Sequence, residues 1–459
     1  MPKTNPITPP VRSADSPAAS RARNAPSPHP TGRSTTSNRP PIASNVDAIF
    51  FPTRPELKLG ERAYSPAFQH KFAETAARTK SFAQAQKLVE LWSGQSASAR
   101  NLSRVVEEVG AELADQRDRA VDDFTHHRRG PEGDDPQHAL AAVFVDGGRV
   151  QTRCDAPGLG PGVHGERWQE DKIARLQTMT TRGHSSDPCP EPPACFQQPI
   201  LHAATSRDAE SPDVSREIEA LLDAKPLPTS TPEPAPRWQP KPLVRTCVAT
   251  MKPLEDFRWI VQAEAKRRHF FTAQRRAFVA DGSAGNWTLH ARHFPDFVPI
   301  LDFVHAAEYL HAAAKVVGSA TRGCHWVRDL WQGRSADVIA ALRSELDARG
   351  LGDAALVEEH EAFALQRAWT YLTNASDKLD YPRYRREGLP TTSGLVESQI
   401  KEFNARLKGT EKFWYESHAE AMLQVVCRVL NEDGPTLAEH FEERPTSPFR
   451  RSYPQTLAA

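Results

Sequence analysis

The chain has 459 residues with 58 Lys and Arg against 58 Asp and Glu, so its formal net charge is zero. At about 150 residues per domain this length allows two or three domains, and the apolar and charged content is typical of globular proteins. No run of about 18 apolar residues occurs and the N-terminus lacks an apolar signal segment, so we expect neither a membrane-spanning helix nor a secretory signal. The neutral total does not show where the charges lie, so it excludes no nucleic-acid partner.

The 39 prolines are concentrated in two stretches, residues 1–45 and 182–242, which hold ten and thirteen of them. The first stretch is also rich in Ser and Arg, which predicts a disordered basic tail. The second predicts an extended surface insertion with one short helix at Ile218–Leu222. The six cysteines contain no CxxC pair, so we expect reduced thiols rather than a zinc site or disulfides.

Helical patterns begin after the tail, between about residues 64 and 120. Ser81 is a suitable N-cap for a helix with an apolar face from Phe82 to Trp92, and Gly94 interrupts the pattern. A second apolar face starts at Leu102 and continues to Val109. This arrangement predicts either a helix-turn-helix DNA reader or an ordinary pair of packed helices.

Three short apolar strands follow, and each ends in an aspartate. Residues 141–145 run into Asp146-Gly147-Gly148, which predicts a turn into a second strand at 150–153. Residues 278–280 run into Asp281-Gly282. Residues 298–301 run into Asp302, directly before a helix at about 306–317.

The rest of the pattern is helical, over 325–375 and then over about 393–408 and 416–431. The 325–375 block has ten apolar core candidates, namely Trp326, Leu330, Trp331, Val338, Ile339, Leu342, Leu346, Leu365, Trp369 and Leu372. On the helix at 393–408, Val396, Ile400, Phe403 and Leu407 form an apolar stripe, whereas Glu397, Lys401, Asn404 and Lys408 form a polar one.

Two strand-end aspartates and Glu397 predict a carboxylate cluster at one edge of a sheet. Grouped carboxylates repel each other unless cations neutralise them, and hard oxygen ligands suit Mg²⁺ or Mn²⁺. Two such ions stabilise the attacking and leaving oxygens of a phosphoryl displacement. Lysines beside the acids fit a polyanionic substrate.

Four blocks, VFVDGGR (143–149), FVADGSAGNW (278–287), ILDFVHAAEYL (300–310) and LPTTSGLVESQIKEFNARLKGTEKFW (389–414), resemble bacterial insertion-sequence transposases of the acid-triad (DDE) class. The most similar group is the Mutator-like ISKra group. The resemblance implies a ribonuclease-H-like α/β fold, a mixed sheet with flanking helices, in which Asp146, Asp281 and Glu397 are catalytic and bind two Mg²⁺ or Mn²⁺ ions. It implies accessory roles for Asp302 and His305, which would orient a DNA strand or metal-bound water. Without the family, Asp302 is equally well explained as the N-cap of the next helix.

The expected domains follow from these assignments. They are a disordered tail at 1–45, a helical domain at 46–136, a first catalytic part at 137–310 with the insertion at 182–242, an all-helical insertion at 311–388, catalytic helices at 389–431 and a C-terminal tail at 432–459. Glu170 and Asp171 are read as structural or strand-edge acids.

Basic residues flank the acids in sequence and predict contacts to DNA phosphates, with Tyr381 and Tyr384 stacking on bases. The expected DNA-binding residues are Arg149, Lys266, Arg267, Arg268, Arg383, Arg385, Arg386, Lys401, Asn404, Lys408, Lys412 and Trp414.

The expected partners are double-stranded DNA, as terminal inverted repeats and target, and further copies of the chain assembled on it. We expect a cytoplasmic, nucleoid-associated enzyme with no membrane partner. Two alternatives stay open: a hydrolytic nuclease with the same fold, and a degenerate or domesticated transposase that only binds DNA.

Overall fold

The computed structural model describes most of the chain between residues 64 and 444. The described ranges are 64–94, 97–127, 137–153, 168–193, 196, 238–352, 354–392, 394–408 and 412–444, with the side chains of 395–400 excepted. The expected tail at 1–45 and the short helix at Ile218–Leu222 lie outside these ranges.

The described residues form a mixed α/β structure of five strands and thirteen α-helices. The strands are β1 (Leu140–Gln151), β2 (Trp168–Met179), β3 (Pro242–Thr250), β4 (Arg275–Ala280) and β5 (Val298–Leu301). The helices are α1 (Pro66–Arg78), α2 (Phe82–Ser93), α3 (Ala99–Thr125), α4 (Leu254–Arg267), α5 (Ala284–His293), α6 (Phe303–Val317), α7 (Ala320–Trp331), α8 (Ser335–Asp347), α9 (Phe363–Asn374), α10 (Tyr381–Arg386), α11 (Gly394–Leu407), α12 (Glu416–Leu430) and α13 (Leu437–Glu443). No helix in the described part of the chain is long and apolar enough to cross a membrane.

The strands form one sheet in the order β3-β2-β1-β4-β5. β1, β2 and β3 are antiparallel neighbours, whereas β4 is parallel to β1 and β5 is parallel to β4. β1 is central, and its first six residues are all buried. Alternate residues point to opposite faces of a strand. Accordingly, Leu140, Ala142 and Phe144 belong to one apolar cluster, and Ala141, Val143 and Val145 belong to another. Both faces of the sheet are therefore covered, which explains why the strand reads as a continuous apolar run.

The prediction of a turn at Gly147-Gly148 is wrong, because β1 continues through both glycines as far as Gln151. The two glycines pair with Lys172 and Asp171 of β2 in an unbroken ladder. Their role is close approach: a Cβ on Gly148 would lie 2.6 Å from Asp171 Oδ1 and 2.7 Å from Lys408 Nζ. The glycine pair therefore marks a crowded strand rather than a chain reversal.

The two predicted N-terminal helices are present as α2 and α3. Ser81 caps α2 by accepting from Gln84 N, and Gly94 ends it in the left-handed conformation. The apolar face is shorter than expected, because Trp92 is 64% exposed. The role of this helix pair in reading DNA stays a prediction.

Helix α3 is packed closely against α12. Leu102, Val105, Val106 and Val109 of α3 are buried, as the pattern predicted. Gly110 faces the backbone of Ala421 so closely that a Cβ would overlap it. Thus the N-terminal helices and α12 share one apolar core.

The helical block at 325–375 is confirmed as three helices, α7, α8 and α9. Eight of the ten predicted core residues are buried, whereas Ile339 and Trp369 are partly buried at its margin. Part of the expected C-terminal tail is folded, since α13 buries Leu437 and Phe441. No disulfide joins the described cysteines, Cys189, Cys247, Cys324 and Cys427.

Substitution of Gly110 tests the α3–α12 contact. We expect Gly110→Ala to lower the free energy of unfolding by about 1–3 kcal/mol, because overpacking outweighs the roughly 1 kcal/mol gained in helix propensity. Urea denaturation measures the change. Gly394→Ala is the matched control, since its added methyl meets nothing within 4 Å. Unchanged or higher stability of Gly110→Ala would contradict the close packing.

Candidate active site

The sheet brings Asp146 and Asp281 to the same place. β1 and β4 are parallel neighbours whose register pairs Val145 with Ala280, so the next residue on each strand is an aspartate. Both aspartates line a cleft of about 860 Å³, together with Arg149, Lys408 and others. The strand ends thus gather two carboxylates at one edge of the sheet.

Asp146 is partly buried and electrostatically strained. The N–H of Gly147 donates to its Oδ1 at 2.7 Å. Burial raises the pKa of Asp146 to about 6, and the nearby charges of Asp281 and Asp302 act in the same direction. The charge of His305 and the Gly147 hydrogen bond oppose the rise. A neighbouring cation would therefore favour the ionised form of this carboxylate.

Asp281 is held by groups that sequence reasoning missed. Its Oδ1 accepts from Ser283 N at 3.1 Å and from Asn286 Nδ2 at 2.7 Å. Asn286 lies in the FVADGSAGNW block, in the first turn of α5. Its place in that block was the only feature of the sequence that could have indicated a role in the site. The Gly282 N–H donates to Tyr371 Oη at 3.2 Å. Gly282 is required there, because a Cβ would overlap the Tyr371 ring.

Asp302 acts as a cap and as the partner of His305. It is fully buried at the start of α6, and its carboxylate accepts from Val304 N and His305 N. His305 Nδ1 lies 2.5 Å from Asp302 Oδ2. Burial lowers the pKa of His305, but the Asp302 bond and the charges of Asp302 and Asp146 outweigh it and raise the pKa to about 10. The carboxylate of Asp302 is therefore used inside the protein, and His305 is a cation at neutral pH.

Glu397 lies on α11, whose backbone is described but whose side chains from 395 to 400 are not. The remainder of α11 follows the two predicted stripes: Phe403 and Leu407 are buried, and Lys401 is exposed. Lys408, directly after the helix, lines the acid cleft. The catalytic role of Glu397 stays a prediction, although its helix ends beside the cleft.

Asp171 is the other buried acid near Lys408. Both of its oxygens are buried without a hydrogen-bond partner, and burial raises its pKa against the effect of Lys408. Its backbone pairs with Gly148, and its strand neighbours Glu170 and Lys172 line the acid cleft. Glu170 is paired with Lys172 at 3.3 Å. Because Glu170 shares the cleft with Asp146 and Asp281, the structural and strand-edge roles assigned to Asp171 and Glu170 stay predictions.

The expected DNA strip at 381–386 is largely internal, which corrects its interpretation for three residues. Tyr381 and Tyr384 are buried, and their hydroxyls donate to the carbonyls of Leu301 and Pro299. Arg385 is buried, forms a fork with Asp187 and donates to the Trp331 carbonyl. These side chains fasten α10 to the sheet and to the start of the proline-rich stretch.

The second basic cluster is also partly internal. The Arg268 guanidinium is buried and donates to the Leu176 carbonyl at 2.7 Å and to Thr246 Oγ1 at 3.2 Å. Arg267 is paired with Glu264 and Asp433. Arg268 therefore stabilises the sheet and is not a DNA contact.

Lys412 and Trp414 cap the end of α11. Lys412 Nζ donates to the carbonyls of Ala405 and Arg406, and burial lowers its pKa to about 8. Trp414 Nε1 donates to the Leu407 carbonyl at 2.8 Å. Both side chains thus satisfy the last carbonyls of the helix, which a local sequence pattern does not distinguish from a DNA-facing strip.

The two strand-end carboxylates have the chemistry of a hard-cation site. Adjacent acids in a partly desolvated cleft raise the pKa of Asp146, and a divalent cation relieves that repulsion. Among the described side chains, which exclude Glu397, no group of three or more His, Cys, Asp or Glu is arranged to hold a metal ion. The carboxylates of Asp146 and Asp281 therefore suit a divalent cation, but the described side chains alone do not complete a metal site.

Comparison with known proteins gives little beyond this geometry. No protein-family model matches the chain, and no curated protein matches it. Among solved structures it is similar to the "Drosophila P element transposase strand transfer complex", with a TM-score of 0.34 and 10% sequence identity. That match covers 85% of this chain and 98% of that one. A likeness this low does not establish a shared fold or function.

Replacing Asp146 tests its electrostatic strain. The pKa of Asp146 is about 6 in the folded chain and 3.8 in the reference state, so the carboxyl group of the unfolded chain ionises first as the pH rises. The folded state therefore loses stability as the pH rises from about 4 to about 6. We expect Asp146→Asn, without metal at pH 7, to raise the free energy of unfolding by about 1–3 kcal/mol. Thermal unfolding across pH measures this. Exposed Asp296→Asn is the control, and a pH-independent difference for Asp146→Asn would contradict the strain.

Replacing Arg385 tests its internal role. We expect Arg385→Ala to destabilise the fold by about 3–5 kcal/mol, because it leaves the partly buried Asp187 uncompensated. Arg383→Ala, which breaks only the exposed pair with Glu387, should cost less than about 1 kcal/mol. Equal effects of the two substitutions in chemical denaturation would show that Arg385 is not a structural anchor.

Proposed function

We propose that the chain is a DNA transposase of the acid-triad class, which cleaves a phosphodiester at the element end and transfers the freed strand into target DNA. The observation that supports it most is the position of Asp146 and Asp281 at adjacent strand ends, with Asp146 partly buried and its pKa raised. Strongly perturbed acids in a cleft are characteristic of catalytic centres. The mixed sheet and the later helix carrying Glu397 are consistent with the ribonuclease-H-like core.

Asp146, Asp281 and Glu397 would hold two Mg²⁺ or Mn²⁺ ions in this proposal. When bound, such ions stabilise the attacking and leaving oxygens of an in-line displacement. The chain's own groups fix the two described carboxylates: the Gly147 N–H orients Asp146, and Asn286 and the Ser283 N–H orient Asp281. These bonds hold each carboxylate in one direction before substrate arrives.

His305 has a separate task in the proposal. Asp302 keeps its ring in place and charged, with Nδ1 directed at Asp302 Oδ2. The resulting cation lies close enough to Asp146 to oppose the rise in the pKa of that acid. His305 thereby keeps a larger share of Asp146 ionised near neutral pH. Asp302 and His305 are positioning residues here, and neither needs to contact the DNA.

Double-stranded DNA is the proposed substrate, bound as element ends and as target by several copies of the chain. Arg149, Lys172 and Lys408 are the described cations that line the acid cleft, and Arg149 and Lys408 are the proposed contacts of the reacting phosphate. Arg383, Arg386, Lys401, Asn404 and Lys266 remain proposed DNA contacts. A cytoplasmic, nucleoid-associated location follows from this substrate.

Cleavage assays with metal test the acids. We expect Asp146→Asn, Asp281→Asn and Glu397→Gln each to reduce Mg²⁺-dependent cleavage of DNA carrying the element ends by roughly a thousandfold or more. Asp296→Asn, at an exposed position outside the cleft, should leave the rate unchanged. Full cleavage by Asp146→Asn would refute the proposal.

Joining of the cut strand to a second duplex separates the transposase from a nuclease in the same assay. Joined product that depends on the three acids is the expected result. Cleavage that depends on the acids but yields only free ends would support a hydrolytic nuclease instead.

A further inference from the structure

A second cavity, of about 750 Å³, lies on the other side of the segment that follows Asp281. It is formed by α5, α6, α9 and the residues directly after α9. Its described lining carries three cations, Arg292, Arg367 and Lys378, and several polar groups, but no Asp or Glu. In a chain with equal numbers of acids and bases, a cavity lined by one sign of charge indicates an anionic ligand.

The segment 281–288 separates this cavity from the acid cleft. Asp281, Ser283, Gly285 and Asn286 line the cleft, whereas Gly282, Ala284, Trp287 and Thr288 line the cavity. One short wall thus has carboxylate chemistry on one side and cationic chemistry on the other. A strand that reaches Asp281 with one phosphate can continue past this wall into the cavity.

Aromatic rings hold two of the cations in position. Lys378 Nζ lies 5.1 Å from the centre of the Trp287 ring, and the Arg367 guanidinium lies 4.9 Å from that of Tyr309. Tyr309 also stacks on Tyr371 at 4.0 Å. Since Tyr309 already contacts a ring and a guanidinium, it offers little surface for a nucleobase. The rings therefore position charge, and the cavity favours phosphates over bases.

The two arginines are available for a ligand. Both are exposed, and neither has a hydrogen-bond or ion-pair partner among the residues that the structure describes. Lys378 differs, because it is largely buried and pairs with Asp377 at 2.5 Å. Arg292 and Arg367 are thus the groups whose charge is uncompensated at the cavity.

We infer that this cavity binds the phosphate backbone of a DNA strand running on from the acid cleft, with Arg292 and Arg367 as the main contacts. The inference rests on the proposed function and names the path of its substrate. It gives the helices around residues 284–378 a DNA contact that the buried Tyr381, Tyr384 and Arg385 do not provide. Thr288, Thr370 and Asn374 add neutral donors along the same wall.

Salt-dependent binding tests the inference without catalysis. The probe is a fluorescently labelled single-stranded oligonucleotide in EDTA, measured by anisotropy over a range of salt. We expect Arg292→Gln with Arg367→Gln to weaken binding and to reduce the slope of log affinity against log salt by about 1.4, since each phosphate that the double variant no longer binds contributes about 0.7 for a single strand.

The matched control is the pair Arg322→Gln and Arg349→Gln, which removes the same charge from exposed positions outside the cavity. It should leave the slope within about 0.5 of the wild-type value. Thermal unfolding verifies that both double variants are folded. Equal slopes for the two double variants would overturn the inference.

A second arm separates DNA from a small polyphosphate. Tripolyphosphate is added to each variant and the thermal shift is measured. Loss of its stabilisation in the cavity variant, with DNA binding unchanged, would overturn the DNA assignment in favour of a small anion. If cleavage depends on the acids but the cavity variant keeps the wild-type salt slope of DNA binding, the proposed function stands and only the role of the cavity is refuted. If the salt slope is reduced but no cleavage occurs, the role of the cavity is supported and the transposase proposal is refuted.

Discussion

The rest of the site depends on one constraint, the partial burial of the Asp146 carboxylate near the charges of Asp281 and Asp302. That placement costs free energy, as the pKa of about 6 shows. The surrounding structure lowers the cost in two described ways. The Gly147 N–H binds the carboxylate directly, and His305, kept charged by Asp302, lies nearby as a positive group. These groups do not offset the whole electrostatic cost, and a further cation would lower the rest of it. The raised pKa of Asp146 is therefore an argument in favour of metal binding.

The helical insertion takes part in this arrangement and is not a separate appendage. Tyr371 of α9 accepts the Gly282 N–H, directly after Asp281, and its ring occupies the space that any larger residue at 282 would need. Tyr381 of α10 binds the carbonyl of Leu301, directly before Asp302. The insertion therefore holds the ends of β4 and β5 by hydrogen bonds. Changes in its packing would reach the acids through these two contacts.

Local patterns predicted three of the five strands, β1, β4 and β5, most helices and the convergence of Asp146 with Asp281, because strand ends and capping residues are properties of a few neighbouring residues. They did not predict β2 and β3. They failed where distant partners decide. Gly147-Gly148 resembles a turn locally, but the strand continues through both residues because they pair with Lys172 and Asp171 of β2. The local sequence around Arg385 predicts a DNA contact, but in the structure Arg385 binds Asp187, which is far away in sequence. Asn286 was missed because one amide in a helix has no distinguishing spacing.

The zero net charge of the chain conceals an uneven distribution of paired and unpaired charges. Arg268 and Arg385 bind acceptors inside the protein, so many of the bases never face a ligand. Arg292 and Arg367 keep their charge at the rim of a cavity, while the acids lie across a short wall. Charges are screened over about 8–10 Å at ordinary ionic strength, so a ligand responds to the nearest groups and not to the total. A neutral chain can thus present carboxylates on one side of a short wall and cations on the other.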